Sequence, residues 1–381
     1  MLIWEQDHSC SDCRIAIAGD FLPASGLQLP GHLTWKQLAL SLARELNPID
    51  AAILNLECSV NVGDHKPRRK LGLGDTFAAN ADVLDFPRAF GARIVGLANN
   101  HTCDYGNEGL DRTRRAILGT GLVPLGIASS LSEAPDVATV MTRSGVCVGF
   151  WAAARHLPEL AARNRAGIEP ATRKRGQAAL TGLKACGSTV NVAFIHAGLE
   201  HTNRPDPDDV SLMDDLAKIG FDLVAACHSH RISGSRRVAR GDGRQSFCFY
   251  GLGSISSGII YSPLEREGLV IVIGIRNPSE ITRVEAHPIF LAETGWGTIP
   301  EPAEADAILD RFMSLSQEIR EGSYHQLFYR DTGKGLFGRQ FRDIQVAFEN
   351  GGVRGVASKL SRVRMRHLIR VLHKSIGQKT L

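Results

Sequence analysis

The sequence predicts an α/β protein whose sheets are buried on both faces. Three observations carry this expectation. Strand-like runs such as 14–18 (RIAIA) and 190–195 (VNVAFI) are continuously apolar rather than alternating, as strands covered on both sides are. Segments with helical spacing fall between them. Polar side chains gather where the apolar runs stop.

The first strand covers 14–20 and ends in Gly19-Asp20. A helix follows over 34–46, where Leu38, Leu40, Leu42 and Leu46 give a mostly apolar face. Further strands are expected at 50–57 (DAAILNLE) and 92–101 (ARIVGLANNH). A helix at 106–119 is closed by Gly119 and Gly121. Strands at 145–151, 190–195 and 221–227 come next, with a helix at 208–219 before the last of them. Strands at 246–251 and 268–275 complete the set. The segment 161–176 is polar and basic and reads as an exposed insertion. Beyond 300 the chain turns helical and more charged, so the expected organisation is a domain over 1–300 and a helical, basic extension over 301–381.

Composition narrows the class. Of 381 residues, 43% are hydrophobic and 22% charged, which fits a globular chain and not a disordered one. A net charge of +4 does not by itself mark a nucleic-acid binder. Among eight cysteines, Cys10 and Cys13 form one isolated C-x-x-C, so reduced thiols and a cytoplasmic location are expected. The N-terminus carries acids where a signal peptide has a basic start and an apolar run. No run of about 18 apolar residues suggests a membrane span.

The chemistry-bearing residues stand at strand ends. Asp20 closes the first strand. Asn55 and Glu57 close the second, and Asn99, Asn100 and His101 the third. His196 ends 190–195, and His228 and His230 follow 221–227. Ligands bind at this edge of open α/β sheets, and these residue types bind divalent metals or move protons. One histidine after a strand is an ordinary loop residue; five such strands in one chain form a pattern.

In their order, Ala18-Gly-Asp20, Asn55-Leu-Glu57, Ala98-Asn-Asn-His101 with Asp104-Tyr-Gly106, Ile195-His-Ala-Gly198 and Cys227-His-Ser-His230 resemble the CapA-like family of capsule or poly-γ-glutamate synthesis proteins. Tyr250-Gly-Leu-Gly253 is similar to that family's final strand and turn. The resemblance covers roughly residues 14–290. It implies the metallo-dependent phosphatase fold, a four-layer α/β sandwich of two mixed sheets flanked by helices, with strand-end residues holding one or two metal ions. Three departures stand out. Leu22 replaces the histidine of an Asp-x-His motif, Asn55-Leu-Glu57 replaces a Gly-Asp pair, and Ser254 stands where many relatives carry Asn. The first two imply that a second ion is not tightly held.

The altered ligand set, the missing membrane anchor and the basic tail are similar to a smaller group of CapA-like proteins, the lasso-peptide epimerases. That resemblance implies inversion of a Cα centre in a ribosomal precursor peptide. Such chemistry needs a base on one face, an acid on the other, and stabilisation of the developing enolate. Asp20, Glu57, His101 and His230 are the catalytic candidates, and Asn55, Asn99, Asn100 and His196 the substrate-binding ones. No cofactor is required; one divalent ion would use Asp20, Glu57, Asn100, His196, His228 and His230. A metal-dependent phosphoesterase is the alternative, with Glu57, Asn100, His196 and His228 on the metal and His101 protonating the leaving alkoxide. A non-catalytic binding protein of the same fold is a third reading.

The expected partners are a precursor peptide and a leader-peptide-binding protein. No membrane is expected, and no nucleic acid, because the basic stretch 350–381 lacks interleaved aromatics. Cys227, at the end of an apolar strand, reads as a buried structural thiol, and Trp296 as a packing anchor.

Overall fold

The computed structural model describes residues 1–6, 11–23, 27, 29–46, 48–67, 76–157, 159–163, 165–276 and 278–332. The chain divides into two units, 1–68 with 76–320, and 69–75 with 321–381. Residues 324–332 of the second unit are helical. The basic stretch 350–381 and Cys10 lie outside the described residues.

The first unit has four layers. Among the described residues, its larger sheet has nine strands. Leu2–Glu5, Glu280–Leu291, Glu267–Arg276, Cys13–Leu22, Ala51–Leu56, Ala92–Gly96 and Val123–Leu125 lie in that spatial order; Ser254–Ser257 pairs with Cys13–Leu22, and Gly297–Thr298 with Glu280–Leu291. The second sheet runs Ser235–Ala239, Gln245–Phe249, Leu223–His228, Val190–Ala197, Cys147–Ala154 and Ala138–Met141. Both are mixed: in the larger sheet Cys13–Leu22 through Val123–Leu125 run parallel and the strands on the other flank pair antiparallel, while in the second sheet the central strands are parallel and both outer pairs antiparallel.

The continuously apolar strands explain the layers, because successive side chains leave a strand on opposite faces. Ile15 and Ile17 enter the core between the sheets, beside Val148, Phe150, Val192 and Phe194. Ala16 and Ala18 face outward, with Leu38, Leu42, Phe86 and Phe90 from the helices Trp35–Leu46 and Asp85–Phe90. On the far side, helices Arg173–Ala185 and Pro207–Ile219 cover the second sheet. There Trp151 stacks on Phe221 with ring centroids 5.8 Å apart.

Local chemistry sets the helix ends that aim the next strands. Asp206 accepts from the Asp208 N–H at 2.8 Å, and Pro207 opens the helix without needing a donor. Gly220, at φ 130°, stops that helix and turns the chain into Leu223–His228.

Three expectations need correction. The strand expected over 92–101 stops at Gly96. Beyond it the Asn99 side chain accepts the N–H groups of His101 and Thr102, at 3.0 and 2.9 Å, and bends the backbone into a turn. The segment 161–176 is not an exposed insertion. Gly167–Ile168 is a buried strand, and Glu169 forms a bidentate pair with Arg175 at 2.7 Å beneath the surface. Polarity there marks a buried ion pair rather than solvent. The helix Pro302–Glu321 packs Ile308, Phe312 and Leu315 into the core between the sheets, so the division falls at 320/321 and not at 300/301. Among the described residues no helix is long and apolar enough to cross a membrane.

Candidate active site

Strand register brings the polar ends together. Asp20 stands opposite Asn55, and Asn55 opposite Gly96. On the other sheet Ala154 stands opposite His196, and Ala197 opposite His228. The edge where these parallel strands end is shared by both sheets. A close backbone approach completes it. The Asp20 N–H donates to the Gly253 carbonyl at 3.0 Å, and a side chain at Gly19 would collide with that carbonyl. Gly253 itself has φ +67°. These two glycines allow Ser254 to sit opposite Asp20.

Asp20 is the centre of the arrangement. Its Oδ1 accepts from Asn55 Nδ2 at 2.7 Å, and its Oδ2 accepts from the His228 backbone N–H at 2.9 Å. His230 Nδ1 lies 3.4 Å from Asp20 Oδ2, 3.9 Å from Glu57 Oε2 and 3.3 Å from Ser254 Oγ. His196 Nε2 lies 3.6 Å from Glu57 Oε1. The backbone is strained here: His228 has φ 112° and His230 φ 55°, a region that costs a non-glycine residue about 1–3 kcal/mol. Asp20, by accepting the His228 N–H, holds that turn.

His196 is fully enclosed. Burial first, then the neighbouring His228, His230 and His101, push its pKa well below the ordinary value, so it is neutral at pH 7. Its Nε2–H donates to Asn100 Oδ1 at 2.8 Å, which makes Nδ1 the acceptor facing Asn55 Nδ2 at 3.5 Å and the Cys227 thiol at 3.6 Å. Cys227 suits that role. Burial, then Asp20 and Glu57, push its pKa well up, so it stays a thiol and is not a nucleophile. His228 also has a lowered pKa, set first by burial and opposed by Glu200.

His101 comes from the turn after Ala92–Gly96. Its Nδ1 lies 2.8 Å from Asp104 Oδ2, which also accepts the Phe77 N–H at 2.8 Å. A buried carboxylate thus fixes the ring, as in carboxylate-backed catalytic imidazoles.

The structure sorts the expected residues. Asp20, Glu57, His196, His228 and His230 converge, and His101 is close enough to act electrostatically on His196 and His228. Asp20 and Glu57 are completely buried, each within 4 Å of the His196 and His230 rings. Asn99 was expected to bind substrate. Its Nδ2 donates to Asn55 Oδ1 and Leu56 O, and its Oδ1 accepts three further bonds, so it shapes the turn instead. Asn55 is likewise buried and engaged with Asp20. Asn100, His228 and His230 are half-buried, unlike the buried Asp20, Glu57, His101 and His196.

Two participants had no role assigned from sequence: Asp104, quoted above only as part of a motif, and Glu200. Asp104 stands three residues after His101, a spacing that suits a short turn. Glu200 follows His196 in the same strand-end loop. Burial would raise the Glu200 pKa, but His228, His230, His201 and His101 outweigh it and hold the carboxylate ionised.

The donor set fits a divalent ion. Asp20, His196 and Cys227; Glu57, His196 and His228; and Asp20, Glu57 and His230 each offer three ligand atoms within 4.8 Å of one another. The buried His228 Nδ1 has no hydrogen-bond partner among the described residues. Imidazoles with carboxylates suit zinc, manganese or iron. Leu22, at the position of the absent histidine, is packed in the outer apolar core.

The family described as "Bacterial capsule synthesis protein PGA_cap" matches residues 14–258, which contain every residue named above from Asp20 to Ser254. The chain belongs to this family. Two similar curated relatives carry the name "Probable polyglutamine synthesis accessory protein", from Mycobacterium tuberculosis strains CDC 1551 / Oshkosh and H37Rv. Each is 27% identical over 216 residues, covering 54% of this chain and 56% of the relative. The chain therefore spans about half the length of the curated relatives it matches. Among solved structures, the calcineurin-like phosphoesterase YfkN from Bacillus subtilis is 14% identical, covering 82% of this chain and 100% of that one, with a TM-score of 0.45. The NAD nucleotidase NadN of Haemophilus influenzae is 15% identical, covering 79% of this chain and 56% of that one, with a TM-score of 0.42. The membership in PGA_cap rests on the sequence match.

Proposed function

We propose that this PGA_cap protein is an acid–base enzyme that inverts a Cα centre in a ribosomally made peptide. One observation carries the reading: two imidazoles beside buried carboxylates come from opposite sheets, His101 hydrogen-bonded to Asp104 and His230 with its Nδ1 on Ser254 Oγ and 3.4 Å from Asp20. Inversion needs such a pair. One neutral imidazole takes the Cα proton, leaving the electron pair in the enolate of the adjacent carbonyl. The other, protonated, returns a proton to the opposite face. The two then exchange protons with solvent and reset. Asn100, with Oδ1 engaged by His196, has Nδ2 left to donate to the enolate oxygen. His196 and Glu57 hold the floor of the site in place.

A metal-dependent phosphoesterase is the second reading, favoured by the compact donor cluster. Asp20, Glu57, His196, His228 and His230 would hold the ion, which when bound supplies Lewis-acid polarisation of a carbonyl or phosphoryl oxygen.

The test uses the full chain and candidate precursor peptides in deuterated water. Epimerisation introduces one solvent deuteron at Cα together with a D-residue, read by mass spectrometry and chiral analysis after hydrolysis. No deuterium in any peptide, combined with phosphate release from p-nitrophenyl phosphate, would replace this reading by the second.

A further inference from the structure

Beside the site lies a carboxylate that none of the chemistry above uses. Glu265 is 1% exposed and lies beyond the segment matched by the family. Its Oε1 lies 3.0 Å from His201 Nδ1 and accepts from Arg231 Nη2 at 3.2 Å and Ser262 Oγ at 3.3 Å. Its Oε2 accepts the Tyr261 N–H at 2.7 Å. These partners come from three loops. His201 follows Glu200, Arg231 follows His230, and Tyr261 with Ser262 precedes the strand Glu267–Arg276. Arg231 adds a second tie, donating to Ser262 Oγ at 2.8 Å. The His201 ring, in turn, lies 6.3 Å from the His230 ring.

We propose that Glu265 is a positioning residue, a buried clamp that holds the loops carrying Glu200, His230 and Tyr261 in one arrangement at the mouth of the site. Loops are the parts of a fold that open most readily, and a 1 Å displacement of a catalytic group is costly in rate. His230 sits in a left-handed backbone conformation that its own sequence does not favour. A salt-bridged, four-bond anchor one residue away, on Arg231, supplies what holds it. Burial alone would raise the Glu265 pKa, yet His201, the Tyr261 N–H and Arg231 bring it down to about 2, so the anchor is charged at any physiological pH. The inference rests on the imidazole–carboxylate cluster being the catalytic site, and not on which reaction it performs.

The test is Glu265→Gln in the full chain, which keeps the shape and removes the charge. Hydrogen exchange should rise by about tenfold in 198–204, 228–232 and 259–265. The strands Cys13–Leu22 and Val190–Ala197 should be unchanged. On whichever reaction the wild type catalyses, kcat should fall about tenfold or more with KM within about threefold. Exchange unchanged in the three loops, or raised equally in the strands, overturns the clamp. If the wild type shows neither reaction, the functional reading fails while the exchange data still decide the clamp. If Glu265→Gln does not fold, His201→Asn removes one arm, and local loosening of 198–204 with 259–265 is expected from it; no loosening there overturns the proposal.

Discussion

The carboxylate of Asp20 accepts the backbone N–H of His228 at 2.9 Å, across 208 residues of sequence and from one sheet to the other. This bond links the strand that begins the first sheet's active edge to the strained turn that carries the histidines of the second. Removing it affects both the chemistry and the shape of the site.

Asp20→Asn keeps an acceptor for the His228 N–H and removes the charge facing His230. Activity should fall about 100-fold or more, as for other acid–base partners. Stability should fall as well, because one amide oxygen cannot accept both the Asn55 Nδ2–H and the His228 N–H, which bond different oxygens of Asp20. Asp20→Ala should also lose about 1–3 kcal/mol of stability, because the buried N–H groups then lack a partner. Full activity in Asp20→Asn would remove Asp20 from the mechanism.

His101→Ala and His230→Ala should each abolish net inversion. They should differ in a second readout. One variant still exchanges the Cα proton of a single isomer with deuterated water, because the remaining base reaches only one face. Equal, complete loss of exchange from both isomers in both variants argues against groups on opposite faces.

Metal analysis of the purified full chain should find at most one equivalent of a divalent ion. Leu22 and its apolar surroundings offer no ligand for a second. His228→Asn should weaken that binding in a chelator competition. Two tightly held equivalents would favour hydrolysis.

The Glu265 carboxyl sits at about 2 in the folded protein, below its ordinary 4.5. Its contribution to stability is therefore complete above about pH 4.5 and is lost as pH falls through about 2. The stability deficit of Glu265→Gln against wild type should shrink as pH falls below about 4.5. Urea unfolding at several pH values measures it, and a deficit that does not shrink contradicts the assignment.

Arg175→Met should destabilise the fold by about 3 kcal/mol or more, because Glu169 is then buried without its bidentate partner. Glu169→Gln combined with Arg175→Met should recover part of that loss. A single variant as stable as wild type would show that Glu169 takes up a proton at little cost.

Much of this was legible in the sequence. Continuous apolar runs identified strands such as Cys13–Leu22 and Val190–Ala197, and the residues at their ends proved to share one edge. That worked because strand direction and burial follow from local composition. What failed depended on partners distant in sequence. Glu169 and Arg175 look solvated until the helix they enter is packed on a sheet. Asn99 looks like a ligand until its five bonds are counted. Glu200 and Glu265 carry no local signal, since their roles exist only where three loops meet.

The pairing of Cys13–Leu22 with Glu267–Arg276, in which Ala18 faces Val270, also bears on how the protein is made. The central strand leaves the ribosome some 250 residues before its antiparallel neighbour. At about 5–20 residues per second, synthesis leaves that strand's flank unpaired for tens of seconds. An open, apolar strand edge is a template for pairing with other nascent chains. Yield on overexpression should therefore be governed by translation speed, temperature and chaperone supply rather than by the stability of the finished fold.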